Sequence, residues 1–557
     1  MTRLLALLLL CLAVGISASL LAVRPTDDVE LVDYFPEDTL VFIEWEQAAG
    51  LGERWRLDQV GKTVPPSTWF QFLEQAGGSD ALIGEARRAV LAWETCVNHP
   101  AVASLLGSSA AFALLPEPAG QADFFPSRQW VVAVRVDADA SEHRFEEWFG
   151  RIRSRRTIGY QGERLLHLVA DDGQEVFCWQ HRNVVLLAGE QSLIRRCIDQ
   201  NLRRMVRTRT GLFLNTAYQR LRRLNKSRAD IFCYIDLERL RQRLPLVRAI
   251  ESASGGRLPR QLAFCHRAVA GASQWGIGAL VGRESTRAFA ARHQLAPPVR
   301  QPLPGPMVRE TELALWTNWF KPKYLWDFVR QQAGDEVASL MAAVGQQLSE
   351  AAGTSLDDFF DVFGGEFGVM MIEQPIEHQS PRSLGCLLVA VRDRPAVAAM
   401  IERLVAGLQV ITVESGNLEI ASVMLAGGLL QPAYALLDHH LILADSVELV
   451  ELARRQLLHD GPGGGRSGRR GDEGGQGNVA VFVRVGEMAE RLAPLLTLLA
   501  KETGERNRVL SHEGRRFVRE IGLPLLTALR TVSTGRLQGY VADDTLFMEL
   551  EYTPQRD

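Results

Sequence analysis

Self-similarity constrains this chain before any local pattern does, because a repeated segment has to adopt one fold twice. Val132-Ala133-Val134-Arg135 recurs as Val389-Ala390-Val391-Arg392, an offset of 257 (389 less 132). At the same offset Leu105-Leu106-Gly107-Ser108 aligns with Val362-Phe363-Gly364-Gly365, and Asn183-Val184-Val185-Leu186 with His440-Leu441-Ile442-Leu443. Elsewhere the offset drifts as loop lengths differ, so that Leu40 to Ile43 pairs with Leu313 to Trp316 and Ile231-Phe232 with Val481-Phe482. With 557 residues the chain exceeds one ordinary core. Pro297, Pro298, Pro302, Pro304 and Pro306 can enter neither helix nor central strand and read as a linker. The expected organisation is an N-terminal apolar segment (1–30), a first copy (31–296), a proline-rich linker (297–310) and a second copy (311–557).

Each copy reads as an opening strand, a helical stretch, a glycine-containing turn and further strands. Trp130 to Val136 is followed by a helix over Ser141 to Arg153, and Leu387 to Val391 by a helix over Ala396 to Leu408. A hairpin comes next (Glu175 to Trp179 with Val184 to Ala188; Tyr434 to Leu437 with Leu441 to Ala444), then helix, strand, helix and a closing hairpin. Hairpins make a sheet mainly antiparallel. The expected fold class is therefore α+β: a tandem duplication of a mainly antiparallel sheet module with helices packed on it, preceded by one apolar helix.

That first helix rests on Leu4 to Val23, twenty residues without a charge. At about 1.5 Å per residue they span roughly 30 Å, the thickness of the bilayer's hydrocarbon core. Arg3 precedes the run and Asp27, Asp28 and Glu30 follow it, which favours an N-terminus inside and the remaining chain outside. An uncleaved anchor gives a membrane-bound extracytoplasmic protein; cleavage near Ser17-Ala18-Ser19 gives a secreted one. The net charge of −4 generates no field calling for nucleic acid. Of seven cysteines none forms a Cys-x-x-Cys pair, and Cys178, Cys233 and Cys386 lie in apolar strand-like runs as small hydrophobes.

The segment Phe35-Pro36-Glu37-Asp38-Thr39-Leu40-Val41-Phe42-Ile43 follows the apolar run. Later, Phe213 to Leu224 leads into Ile231-Phe232-Cys233-Tyr234-Ile235-Asp236-Leu237. This resembles a family of bacterial exported proteins known only as a domain of unknown function, with a signal or anchor followed by a Pro-x-Asp-Thr strand. The second copy carries Arg309-Glu310-Thr311-Glu312 in that place, and the resemblance brings no catalytic residues.

Candidate chemistry reduces to local structure in most places. Asp438-His439-His440 falls between two strands, where such residues favour turns, and no metal or cofactor is expected. Asp357, Asp358, Asp361 and Glu366 are interrupted by Phe359-Phe360 and Val362-Phe363 at helical spacing, which is no calcium loop. Gly461 to Gly477 lacks the lysine and following helix of a phosphate loop. Between Arg195 and Arg228 eleven basic residues face only Asp199. Arg203, Arg204, Arg207, Arg209, Arg220, Arg222 and Arg223 are the candidate binding residues there, for an anionic lipid or cell-wall polymer; a solvated helix face is the alternative. The expected function is that of a non-catalytic envelope binding or scaffold protein. A carrier of a lipid or apolar ligand, and a hydrolase with a cleft between the copies, are the alternatives.

Overall fold

The computed structural model describes residues 30–46, 65–75, 109–116, 129–136, 151–171, 175–204, 211–224, 229–244, 258–269, 272–282, 299–300, 311–318, 335–374, 382–415, 418–428, 430–459, 476–501, 512–542 and 544–554, with isolated positions between them. The N-terminal apolar segment lies outside the described residues. Among those described, no helix is long and apolar enough to cross a membrane. The described residues fall into two compact units, one within 1–44 and 108–219 and the other within 45–107 and 220–557.

The first unit carries β1 (Val41–Trp45, all but its last residue), β2 (Ala110–Leu114), β3 (Trp130–Arg135), β4 (Ile152–Tyr160), β5 (Glu163–Ala170), β6 (Glu175–His181) and β7 (Val184–Ala188). Their hydrogen-bonded order is β1-β2-β3-β7-β6-β5-β4. β7 is Val-Val-Leu-Leu-Ala with every residue buried, as a strand covered on both faces requires. The helix Gln191–Arg204 lies on β3, β6 and β7. Its Leu193, Ile194, Cys197 and Ile198 are fully buried, the i, i+1, i+4, i+5 stripe of one helix face.

The second unit carries β8 (Ile231–Asp236), β9 (Gln261–Val269), β10 (Ala272–Leu280), β11 (Val299–Arg300), β12 (Thr311–Thr317), β13 (Phe363–Gln374), β14 (Arg382–Val391), β15 (Gln409–Ser415) and β16 (Leu418–Met424). It continues with β17 (Ala433–Leu436), β18 (His440–Ala444), β19 (Gln476–Gly477), β20 (Val479–Val483), β21 (Val532–Ala542) and β22 (Thr545–Pro554). The order is β8-β9-β10-β22-β21-β20-β12-β13-β14-β18-β17-β16-β15, and β11 pairs with β19 alone. One face of β13, β14 and β18 buries Met370, Cys386 and Ile442 with Leu449 and Val450 of the helix Val447–His459. The opposite face places Val389, Val391 and Leu441 against Val397, Met400 and Ile401 of the helix Arg394–Leu404. Asp393 caps that helix by accepting from the Ala396 amide at 3.0 Å.

The expected fold class, a tandem duplication of an α+β module with helices packed on a mainly antiparallel sheet, is corrected by the strand pairing. Among the described residues the strands of the second unit, which come from both expected copies, run in one antiparallel order, and strand (44%) exceeds helix (39%). The physical reason is a seam. β10 closes the first set of strands and β22 the second, and each would otherwise present an open edge. They pair antiparallel from Ser273↔Tyr552 to Leu280↔Thr545, which removes both edges and fuses the sets. A second correction concerns β4, β5, β15 and β16, which the sequence reading passes over; Ile152 and Arg153 belong to a strand, not to a helix.

Gly211 fixes the entry to the 3-10 turn Gly211–Leu214. Its φ is +71°, and a side chain there would fall on the Phe35 carbonyl oxygen, which accepts from the Leu212 amide at 2.8 Å. Gly211→Ala should lower the unfolding free energy by more than the roughly 1–3 kcal/mol of backbone strain alone. Gly162→Ala, at φ +86° with open space around it, should cost only that strain. Denaturant titration of the two variants checks the difference.

Candidate functional site

Among the described residues, His266, His181 and His440 each sit in a polar group of their own. In the second unit, His266 of β9 and Ser273 of β10 are diagonal neighbours on one face of a hairpin, since His266 pairs with Trp275 and Ala268 with Ser273. His266 Nε2 and Ser273 Oγ are 2.7 Å apart, and Asp230 Oδ2 stands 3.9 Å from His266 Nδ1. Burial pushes the imidazole below its ordinary value against the opposing pull of Asp230, so the ring is held neutral. These are the residue types of a nucleophile, base and acid. Ser273 nevertheless sits in a strand paired on both sides, so neighbouring amides are committed to ladders and cannot form an oxyanion hole. The Asp230–His266 separation exceeds a hydrogen bond, and Asp230 instead accepts from the Ala268 amide at 2.6 Å. The group ties β8, β9 and β10 together. The sequence reading missed it because the three residues are scattered through unremarked strand-like runs.

In the first unit, Tyr34 Oη lies 3.0 Å from His181 Nδ1, and Asn201 Nδ2 lies 3.5 Å from His181 Nε2. Trp179 stacks on the His181 ring at 5.4 Å and donates to Glu163 at 3.1 Å. This network fastens the buried turn Leu31–Tyr34 and the helix Gln191–Arg204 to β6. The third group holds Glu366. Its carboxylate accepts from Trp316 Nε1 at 2.8 Å, and His440 Nε2 stands 3.7 Å away. Burial raises the Glu366 pKa, but the His440 and Trp316 groups together outweigh it and leave the carboxyl below its usual range.

The sequence candidates are dispersed. Asp438 and His439 form the bend between β17 and β18. Among the described residues no three His, Cys, Asp or Glu side chains converge as metal ligands. Asp357 pairs with Lys323 at 2.7 Å and Asp358 with the Ser355 hydroxyl at 2.6 Å, while Glu366 turns inward. Arg207, Arg209 and Gly461 lie outside the described residues, as does the side chain of Arg204. Arg203 and Arg223 are exposed. Arg220 forms an ion pair with Asp544, and the Arg222 guanidinium lies 4.5 Å over the Phe232 ring. Part of the expected basic surface is thus spent on internal contacts. Cys197 and Cys386 are buried thiols pushed up to about 12, so neither is a thiolate at neutral pH.

A fourth feature is apolar. Directly opposed residues of an antiparallel sheet share a face. Trp275, Leu550, Leu537, Val481, Leu315, Val369, Leu387 and Leu443 form one row across β10, β22, β21, β20, β12, β13, β14 and β18. None is buried, and Leu387, Leu443 and Leu550 are 36%, 38% and 43% exposed. An unbroken apolar row of this length is a surface on which an apolar ligand or partner can be bound.

No family model matches the chain, and no curated protein is similar to it. Among solved structures, crystal forms III, IV and I of the Treponema protein TP0453 are similar with TM-scores of 0.24, 0.23 and 0.22 and identities of 7%, 8% and 9%. They cover 49%, 48% and 46% of this chain and 90%, 85% and 80% of theirs. A likeness at these scores carries no argument about fold or activity.

The neutral His266 has a measurable consequence. Its folded pKa lies below the unfolded value of 6.5, so the unfolded chain gains a proton that the folded one refuses as pH falls through 6.5. The stability it contributes is complete above that pH and declines below it. His266→Gln should flatten this part of the stability–pH curve, whereas His266→Ala should cost about 2–4 kcal/mol through a cavity and an orphaned hydroxyl. Denaturant midpoints between pH 5 and 8 test both; an unchanged slope in His266→Gln would contradict the assignment.

Proposed function

We propose that this chain is a non-catalytic binding or scaffold protein of the cell envelope, held to the membrane by the Leu4 to Val23 segment with the rest of the chain outside the cytoplasm. The observation that carries the binding role is the apolar row from Trp275 to Leu443. Burying such a row is worth roughly 25 cal/mol per Å² of apolar surface, with no need for directed bonds. That favours a ligand or partner recognised by shape and hydrophobicity rather than by reaction. The internal commitments of Ser273, His266 and Glu366 weigh against a hydrolase. A second reading, a carrier of a lipid or other apolar ligand, rests on the same row. Arg203 and Arg223, both exposed, would add attraction to anionic headgroups, each by about 1 kcal/mol near a charged surface.

Two measurements test this reading. Fractionation should place the chain in membranes, with residues beyond Asp27 open to protease added from outside; recovery from the cytosol with an intact N-terminus would contradict the location. Leu387→Glu with Leu443→Lys, opposite charges at directly paired positions, should weaken binding of a fluorescent fatty-acid probe several-fold while leaving the unfolding free energy within about 1 kcal/mol, since both side chains are already more than a third exposed. Unchanged probe binding would remove the row from function.

A further inference from the structure

β4 and β15 hold equal places at the ends of the two strand orders, each paired on one side only among the described residues. Their sequences treat that position oppositely. β4 carries Arg153, Arg155 and Arg156, all exposed, and charged side chains on an edge strand oppose pairing with another chain. β15 reads Gln-Val-Ile-Thr-Val-Glu-Ser, with Glu414 as its single charge. Val410, Ile411 and Val413 are 36%, 45% and 37% exposed, and Leu408 just before them 44%. These aliphatic residues project from both faces of a strand whose outer side has no strand partner among the described residues, with only the Ser415 carbonyl engaged, by Arg454 at 2.8 Å.

We propose that β15 is the contact through which two copies of this chain pair, edge to edge and antiparallel, about a two-fold axis at Thr412. The occupant follows from the order of residues along the strand. Antiparallel self-pairing about that axis sets Thr412 against Thr412, Ile411 against Val413, Val410 against Glu414 and Gln409 against Ser415. Threonine–threonine and β-branched pairs are favourable cross-strand neighbours, and no like charges meet. The same surface on both copies closes the pair and leaves no further β15 edge open, so assembly stops at the dimer. The inference is independent of the ligand-binding reading, because it uses the strand edge and not the sheet face.

The test uses the full chain in detergent, with mass measured by sedimentation. The unmodified chain should be a dimer. Thr412→Lys, which opposes two ammonium groups at the axis, should be monomeric at concentrations where the unmodified chain pairs; Thr412→Glu should behave likewise. Mixing these two variants should restore the dimer as a one-to-one complex, an outcome that misfolded variants cannot give. In Thr412→Cys the two opposed Cα atoms, about 4.5–5.5 Å apart, lie within disulfide range and should cross-link on oxidation. A monomeric unmodified chain, a dimer indifferent to Thr412→Lys, or a mixture that stays monomeric would each overturn the proposal.

Discussion

The hydrogen-bonded seam between β10 and β22 underlies the architecture of the second unit. A hairpin satisfies the inner backbone groups of its two strands and leaves the outer row of each open. β9–β10 and β21–β22 are two such hairpins, separated by more than two hundred and fifty residues of chain, and each supplies what the other lacks. Side chains lock the register: Gln274 donates to Glu551 at 3.3 Å. The turn of the second hairpin is held from the other side, where the Val281 amide donates to the Asp544 carbonyl and Arg220 pairs with the Asp544 carboxylate. Without the seam the apolar row would lose Trp275 and end at Leu550 of an open β22 edge.

What the sequence made legible was periodic and buried. Val132 to Arg135 and Val389 to Val391 lie in β3 and β14, interior strands of their respective orders, as Val-x-Val alternation demands. Of Asp438-His439-His440, the first two form the expected turn, whereas His440 is the first residue of β18 and faces Glu366. Edge strands were not legible. β4 and β15 bury almost nothing, so neither carries the period-2 contrast by which a half-buried strand is recognised, and the arginines of β4 read as a continuation of a solvated helix. Strand partners separated by most of the chain were equally hidden, because composition says nothing about which open edge meets which. Gly364 was read as a turn glycine; it stands instead inside a strand irregularity, where an added Cβ would lie 2.7 Å from the Ala390 Cβ.

The polar groups illustrate why residue type alone is a poor guide to chemistry. Asp230, His266 and Ser273 have the identities of a relay, yet catalysis needs an approachable nucleophile and donors waiting for developing charge. Here the ladders on both sides of Ser273 consume the donors. The arginine segment makes the same point in electrostatic form. A run of charge in the sequence becomes a surface field only if its members stay unpaired and on one side. Helical geometry instead sends Arg220 to Asp544, Arg222 over Phe232 and Arg196 to Asp38 at 2.7 Å, while Arg203 and Arg223 are exposed.

Exposed apolar surface has different meanings on a sheet's face and on its edge. The row from Trp275 to Leu443 offers contact area but no backbone groups, because every strand beneath it is paired on both sides. Under the proposed binding role, recognition there would have no register, and a flexible acyl chain or a varied set of apolar partners would be accommodated at little cost in specificity. An edge is the reverse. Its open N–H and C=O groups impose a spacing of about 3.4 Å per residue on whatever binds, so the order of side chains decides the partner. A chain that guards β4 with three arginines while leaving Val410, Ile411 and Val413 open on β15 has blocked association at one edge and permitted it at the other. That asymmetry limits growth through these two edges: pairing β15 with β4 would place aliphatic side chains against guanidinium groups, which disfavours head-to-tail strand addition and leaves the closed pair as the favoured product.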